Sequence, residues 1–156
     1  MLLDLKTDVI YDSANTSNVR GIGLTSTVVK GSLASSSLLE KFGDIPVAVK
    51  LFKDDESGHD DYLFEVAIMS ILPVCPFLVQ LIGYSEAPKA IVMKHYQVTL
   101  KLLLKSPEII KSIILRLKIG YDIAHGMNVI HNCGVLHLDL KPRKKVYYLL
   151  WFFQIT

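Results

Sequence analysis

The chain has 156 residues, 51% of them apolar, and a net charge of +2 from 17 basic and 15 acidic side chains. That length holds one ordinary domain, or a small lobe with part of a second, and the apolar share suffices for a core. The near balance of charge gives no nucleic-acid footprint, and no stretch is polar or repetitive enough to be disordered.

Charge is unevenly spread: residues 1–65 hold 11 acids and 6 bases, and residues 66–156 hold 4 acids and 11 bases. A basic second half suits a phosphate-bearing ligand, although charge alone reads first as solvated surface. Cys75 and Cys133 lack metal-ligand spacing and read as free thiols of a reducing compartment. The N-terminus meets charge at once, unlike a secretory signal. The longest apolar stretch, Val146 to Phe153, falls well short of the about 20 residues a membrane span needs. These features describe a soluble, cytoplasmic protein with no membrane span.

In chain order, residues 1–18 are rich in Asp, Ser, Asn and Thr and read as a loosely held lead-in. Val19–Gly23 and Thr27–Gly31 are β-favouring runs around a short polar turn, the pattern of a hairpin. Ser32–Asp44 is a connection with a short Leu-Leu-Glu-Lys element, and Ile45–Phe52 is a strand with its proline near the start, where one is tolerated. Asp54, Asp55 and Glu56 then open a helix, where acids suit the positive N-terminus. Leu63, Val66, Ala67, Ser70 and Ile71 have the spacing of its buried stripe, and Pro73 and Pro76 end it. Phe77–Tyr84 and Lys89–Tyr96 read as two more strands. Residues 109–130 read as a long helix with two apolar faces, Leu117, Ala124 and Met127 on one and Ile113, Ile123 and Ile130 on the other. A strand-rich part with one helix, followed by a helical part, is an α+β pattern of two lobes.

Three segments carry chemistry. Gly21-Ile22-Gly23-Leu24-Thr25-Ser26-Thr27-Val28 is a glycine-rich turn in a hairpin, with Ser26 where a third glycine would stand. Glycines let a backbone approach phosphates without a Cβ in the way, and taken alone such a turn is more often only a turn. Val47-Ala48-Val49-Lys50 closes an apolar strand with a lysine, which either snorkels to water or serves a buried anion. Glu65, fifteen residues later on the helix, is placed to pair with that lysine and aim it at phosphate oxygens; its bland alternative is an exposed helix acid. His137-Leu138-Asp139-Leu140-Lys141-Pro142 follows the long helix and a turn in which Gly134 suits the C-cap. An aspartate there can accept a proton from an incoming hydroxyl, while a lysine two positions on neutralises a transferring phosphoryl group.

Together, in this order, the segments resemble the protein kinase signature set over roughly residues 19–142. Leu78–Tyr84 looks like the fourth strand of tyrosine-kinase-like kinases, and Ile91–Tyr96 like the fifth strand running into the hinge. The resemblance implies a bilobal fold: a nearly complete N-lobe of five antiparallel strands and one helix over 19–96, a partial C-lobe over 97–142, and an apolar tail of no kinase type over 143–156. It implies ATP as cofactor and a protein as substrate. Gly21, Gly23, Ser26, Val28, Ala48, Lys50, Glu65, Met93 as gatekeeper, Lys94, His95 and Tyr96 would lie at the nucleotide, and Asp139 and Lys141 would be catalytic. Asp-Leu-Lys-Pro leans towards serine/threonine rather than tyrosine hydroxyls.

Two departures bear on activity. Leu138 replaces the family's arginine, which removes one grip on an activation-loop phosphate. Five residues after Asp139, where the family has a magnesium-binding asparagine, stands Lys144, and residues 140–156 hold no Asp, Glu or Asn. Magnesium needs oxygen ligands, which an ammonium does not supply, so no metal-binding residue is assigned. The chain reads as kinase sequence broken off after Pro142 and inactive as it stands, the alternative being a short protein with its own C-terminal element. Two rival functions are a pseudokinase-like module that binds nucleotide or a partner without catalysis, and a small-molecule phosphotransferase of kinase-like fold. The glycine loop and Leu140-Lys141-Pro142 weigh against the second.

Overall fold

The computed structural model describes residues 1–96, 98–138 and 140. They form two compact units: residues 1–70 with 81–95, and residues 71–80 with those from 96 onward.

The first unit is an antiparallel sheet in the order β1 (Val9–Tyr11), β3 (Ser26–Leu33), β4 (Pro46–Phe52), β6 (Lys89–Lys94), β5 (Leu81–Glu86). Strand β2 (Val19–Ile22) also pairs with β3, alongside β1. The five strands expected are thus present as β2 to β6, and β1 makes a sixth. Strand β4 is central because Val47, Ala48 and Val49 are apolar on both faces, as a strand covered on both sides must be. One layer of the core is the row Val29, Val49, Val92, aligned across β3, β4 and β6 and fully buried.

What covers that row differs from the sequence reading. Residues 1–11 are no loose lead-in. Leu3 N–H donates to Tyr84 O at 2.8 Å and Tyr84 N–H to Met1 O at 3.0 Å, so Met1–Leu3 runs along the outer edge of β5. The chain then crosses the face of the sheet, burying Leu3, Leu5 and Val9, and joins β3 at the opposite edge as β1. Asp4 holds the crossing turn: its carboxylate accepts from Lys6 N–H and its carbonyl from Asp8 N–H. Helix α1 (Ser36–Phe42) adds Leu38, Leu39 and Phe42 to the same layer. Met1–Leu3 thus covers the β5 edge, and the short strands β1 and β2 end the sheet on the other side.

On the other face lies α2 (Glu56–Ile71), with Asp55 at its start accepting from Gly58 N–H at 2.7 Å. The expected stripe is rotated. Gly58 and Tyr62 are buried, Glu65, Val66 and Met69 are half-buried, and Leu63, Ala67 and Ile71 are exposed. Leu63 and Glu65 stand about 200° apart on a helix, so both cannot face the sheet. The pairing of Glu65 and the edge-on packing of Tyr62 on Phe52, centroids 5.5 Å apart, decide which does.

The second unit contains α3 (Leu100–Leu103), α4 (Pro107–Lys111) and α5 (Ile113–Asn132). The helix expected over 109–130 is broken at Ser112, whose side chain accepts from Leu115 N–H at 3.2 Å and so caps a new helix. Strand β5 likewise starts only at Leu81; Leu78 packs instead with Ile130 in this unit. Helix α5 ends in a Schellman arrangement: Gly134 has φ of 73°, Val135 N–H reaches Ile130 O and Gly134 N–H reaches His131 O. The glycine expected at the cap is there because only it takes that φ without strain.

One face of α5, Ile119, Asp122, Gly126 and Ile130, is buried, with Ile123 and Met127 packed beside it. The other is not. Ile113, Ile114, Leu117 and Tyr121 are exposed, Ile114 at 74% and Leu117 at 66%. An apolar strip of this kind drives association. The chain is expected to sediment as oligomers at tens of micromolar, and Ile114→Lys with Leu117→Glu to shift it to monomer with a folding stability changed by about 0.5 kcal/mol or less per substitution. A wild-type monomer that binds no hydrophobic dye would contradict this.

Candidate functional site

Residues opposite one another on antiparallel strands share a face. The register therefore places two rows on the α2 side of the sheet: Val28, Lys50 and Ile91 in one, Lys30, Ala48 and Met93 in the next. Val28, Ala48, Lys50 and Met93, four candidates from three strands, are neighbours on one surface, and all four are buried. Lys50 is only 6% exposed. A buried ammonium needs an opposing charge, and the Glu65 carboxylate of α2 supplies it as a close ion pair. The Lys50 Nζ also sits 4.8 Å from the centroid of the Phe52 ring, a cation–π contact. The lysine does not snorkel, and Glu65 is not a surface acid.

Strands β2 and β3 meet at the glycine-rich turn. Gly21 is opposite Val28, and Gly23 N–H donates to Ser26 O at 2.7 Å, closing the turn. A Cβ on Gly23 would lie 3.3 Å from that oxygen. Ser26 is buried as the first residue of β3, so the position of the missing third glycine is a strand position here. Leu24 at the tip is exposed.

At the end of β6, Met93 is followed by Lys94, His95 and Tyr96. The main-chain N–H of His95 is engaged by Pro46 O at 2.9 Å, an extension of the β4–β6 pairing that takes this donor away from any ligand. The His95 ring has a buried Nδ1 without a hydrogen-bond partner among the described residues. Burial, seconded by the charges of Lys30 and Arg20, lowers its pKa from the ordinary histidine value, so the ring is neutral at pH 7. Tyr96 belongs to the second unit; burial pushes its phenol up to about 12, and a hydrogen bond with the Gln80 backbone opposes the shift. The phenol stays protonated across the physiological range.

Leu138 is 91% exposed and has φ of 48°, a left-handed conformation uncommon for a branched side chain. Asp139 and Lys141 lie outside the described residues, as do Lys144 and the tail. Sequence reasoning did not single out two further residues at the site, Thr25 and Asp61. Thr25 Oγ1 donates to Asp61 Oδ2 at 2.6 Å, tying the glycine-rich turn to α2. Its signal was present only as the one-turn spacing of Asp61 and Glu65.

Residues 15–147 match the family model for protein tyrosine and serine/threonine kinases. The chain belongs to that family. The first unit is the small lobe of the kinase fold, and α3 to α5 belong to its large lobe. A search of curated proteins found no match to this chain. Kinase domains of this family use ATP and magnesium and act on proteins rather than nucleic acids. Among the described residues no helix is long and apolar enough to cross a membrane.

The described residues of this kinase domain suit the ATP part of Mg–ATP. A charge-compensated lysine beside a small-residue position, Ala48, suits a phosphate and a flat base. The described residues bring no three His, Cys, Asp or Glu side chains together, and the position where the family supplies an asparagine ligand is Lys144.

Proposed function

We propose that this kinase domain binds ATP on the β3–β4–β6 surface and, as this chain stands, transfers its phosphate weakly or not at all. The observation that carries the reading is the ion pair of Lys50 and Glu65 in register with Val28, Ala48 and Met93. The ammonium would hold the α- and β-phosphates, Glu65 would keep it aimed, and Ala48 with Val28 and Met93 would bound the adenine. Gly21, Gly23 and Ser26 would form the cover over the phosphates, and Lys94, His95 and Tyr96 the hinge beside the base. His95 would contribute groups other than its N–H.

By family the reaction is phosphoryl transfer to a protein hydroxyl, and Asp-Leu-Lys-Pro favours serine or threonine. Asp139 would accept the hydroxyl proton and Lys141 would steady the γ-phosphate. Lys144 opposes this, because electrostatic stabilisers of the transferring group are worth roughly 3 kcal/mol each and a cation cannot serve as magnesium's ligand. The same residue favours a pseudokinase-like role, in which nucleotide or a protein partner is held without turnover. Free Cys75 and Cys133 and the use of ATP support a cytoplasmic location.

Calorimetric titration with ATP tests both halves. Binding is expected in the absence of magnesium, with less than about a tenfold gain on adding it. A large magnesium-dependent gain would contradict the metal argument. Phosphorylation of a general protein substrate by the purified chain would overturn the proposed inactivity, and no ATP binding at all would overturn the nucleotide reading.

A further inference from the structure

Helix α2 carries two carboxylates one turn apart, Asp61 and Glu65, on the side that faces the sheet and its glycine-rich turn. Glu65 engages Lys50 of β4. Asp61 engages Thr25 in the turn between β2 and β3. Thr25 is held at a second point, where its carbonyl accepts from Lys53 N–H at 2.8 Å. Lys53 in turn lies against the first turn of α2: a Cβ on Gly58 would stand 2.3 Å from Lys53 O, an approach only glycine allows. Asp55 closes this corner by capping Gly58 N–H. The turn, the end of β4 and the start of α2 are therefore one joint, in which each part is hydrogen-bonded to or packed against the next.

We infer that Thr25 and Asp61 are a positioning pair, which holds the glycine-rich turn in register with the helix that sets Lys50. A glycine-rich turn is by composition the most conformationally free piece of the small lobe. With Thr25 anchored to α2, the turn's backbone N–H groups and the Lys50 ammonium are oriented by the same rigid helix. Any displacement of α2 moves both. This deepens the nucleotide reading and rests on it for its functional half; the geometric half stands by itself.

Two measurements on the full chain decide it. Hydrogen exchange at the amides of Gly23 and Lys53 reads the tether directly, because each donates to a residue of the turn. Thr25→Val and Asp61→Ala should each speed exchange at these amides about fivefold, the value of one ordinary hydrogen bond, because this one is exposed to water. The double variant should go no further, since both changes break the same contact. Thr25→Ser and Asp61→Asn keep a donor and an acceptor and should retain slow exchange. ATP affinity without magnesium should fall by a similar factor in the two disrupting variants and not in the two conservative ones.

Unchanged exchange in Thr25→Val, or additive effects in the double variant, overturns the tether. Faster exchange with unaltered ATP affinity overturns its positioning role. If the wild-type chain binds no ATP, the nucleotide reading fails and the positioning role with it, while exchange still decides whether the tether exists.

Discussion

Deleting residues 1–11 is expected to unfold the small lobe. The deletion exposes the surface that Leu3, Leu5 and Val9 cover, each worth about 1.5–3 kcal/mol when buried. Their sum, roughly 5–9 kcal/mol, is an upper estimate, and it matches the whole stability of an ordinary domain. The loss also strips the hydrogen bonds along both edges, from Leu3 N–H to Tyr84 O at 2.8 Å and from Ala34 N–H to Asp8 O at 2.8 Å. A point variant separates this contact from chain length. A Cβ on Gly83 would lie 2.6 Å from Met1 O and 2.7 Å from Leu3 Cγ, so Gly83→Val must push the segment off the sheet, at about 2 kcal/mol. Thermal melts followed by circular dichroism should show no cooperative transition for the deletion and a lowered midpoint for Gly83→Val. A deletion variant that melts with the wild type would show that residues 1–11 contribute nothing.

Glu65→Ala is expected to destabilise the lobe by about 3 kcal/mol, the lower end of the range for removing one partner of a buried ion pair. The variant takes the Glu65 counter-charge away from the buried Lys50 ammonium. Replacing both partners with apolar groups, Lys50→Met with Glu65→Leu, should recover most of the loss, because the desolvation cost disappears with the charges. ATP binding separates the two roles of the pair. It should fall at least about tenfold in the single variant and in the stable double variant alike. Restored stability with wild-type ATP affinity in the double variant would show that the pair serves the fold and not the nucleotide.

Much of the chemistry was legible in the linear chain, because kinase chemistry is written in short segments. Val47-Ala48-Val49-Lys50 is both a buried strand and the carrier of the lysine. Gly134 marks the end of α5 by a backbone conformation that belongs to one residue type. The pairing of Lys50 with Glu65 followed from one residue on a strand and one on the helix after it. Other features were not legible. Residues 1–11 are polar enough to read as loose, and nothing local says that three apolar side chains among them meet a sheet formed from residues 26–94. Ser112 looks like any residue in a helical run until its hydroxyl caps Leu115.

The sequence by itself determined the family, the order of the strands and helices, and the identity of the charged pair, since each depends on residue type and spacing along a few turns or strands. The tertiary structure decided the rotation of α2, the strap across the sheet, and the contact between Thr25 and Asp61. The physical reason is common to all three. A helix with apolar residues on several sides has no intrinsic preference among them; the choice falls to the contact whose loss costs most. Here that is a buried ammonium, which turns Glu65 inward, brings Asp61 beside Thr25 at the surface and leaves Leu63 in water.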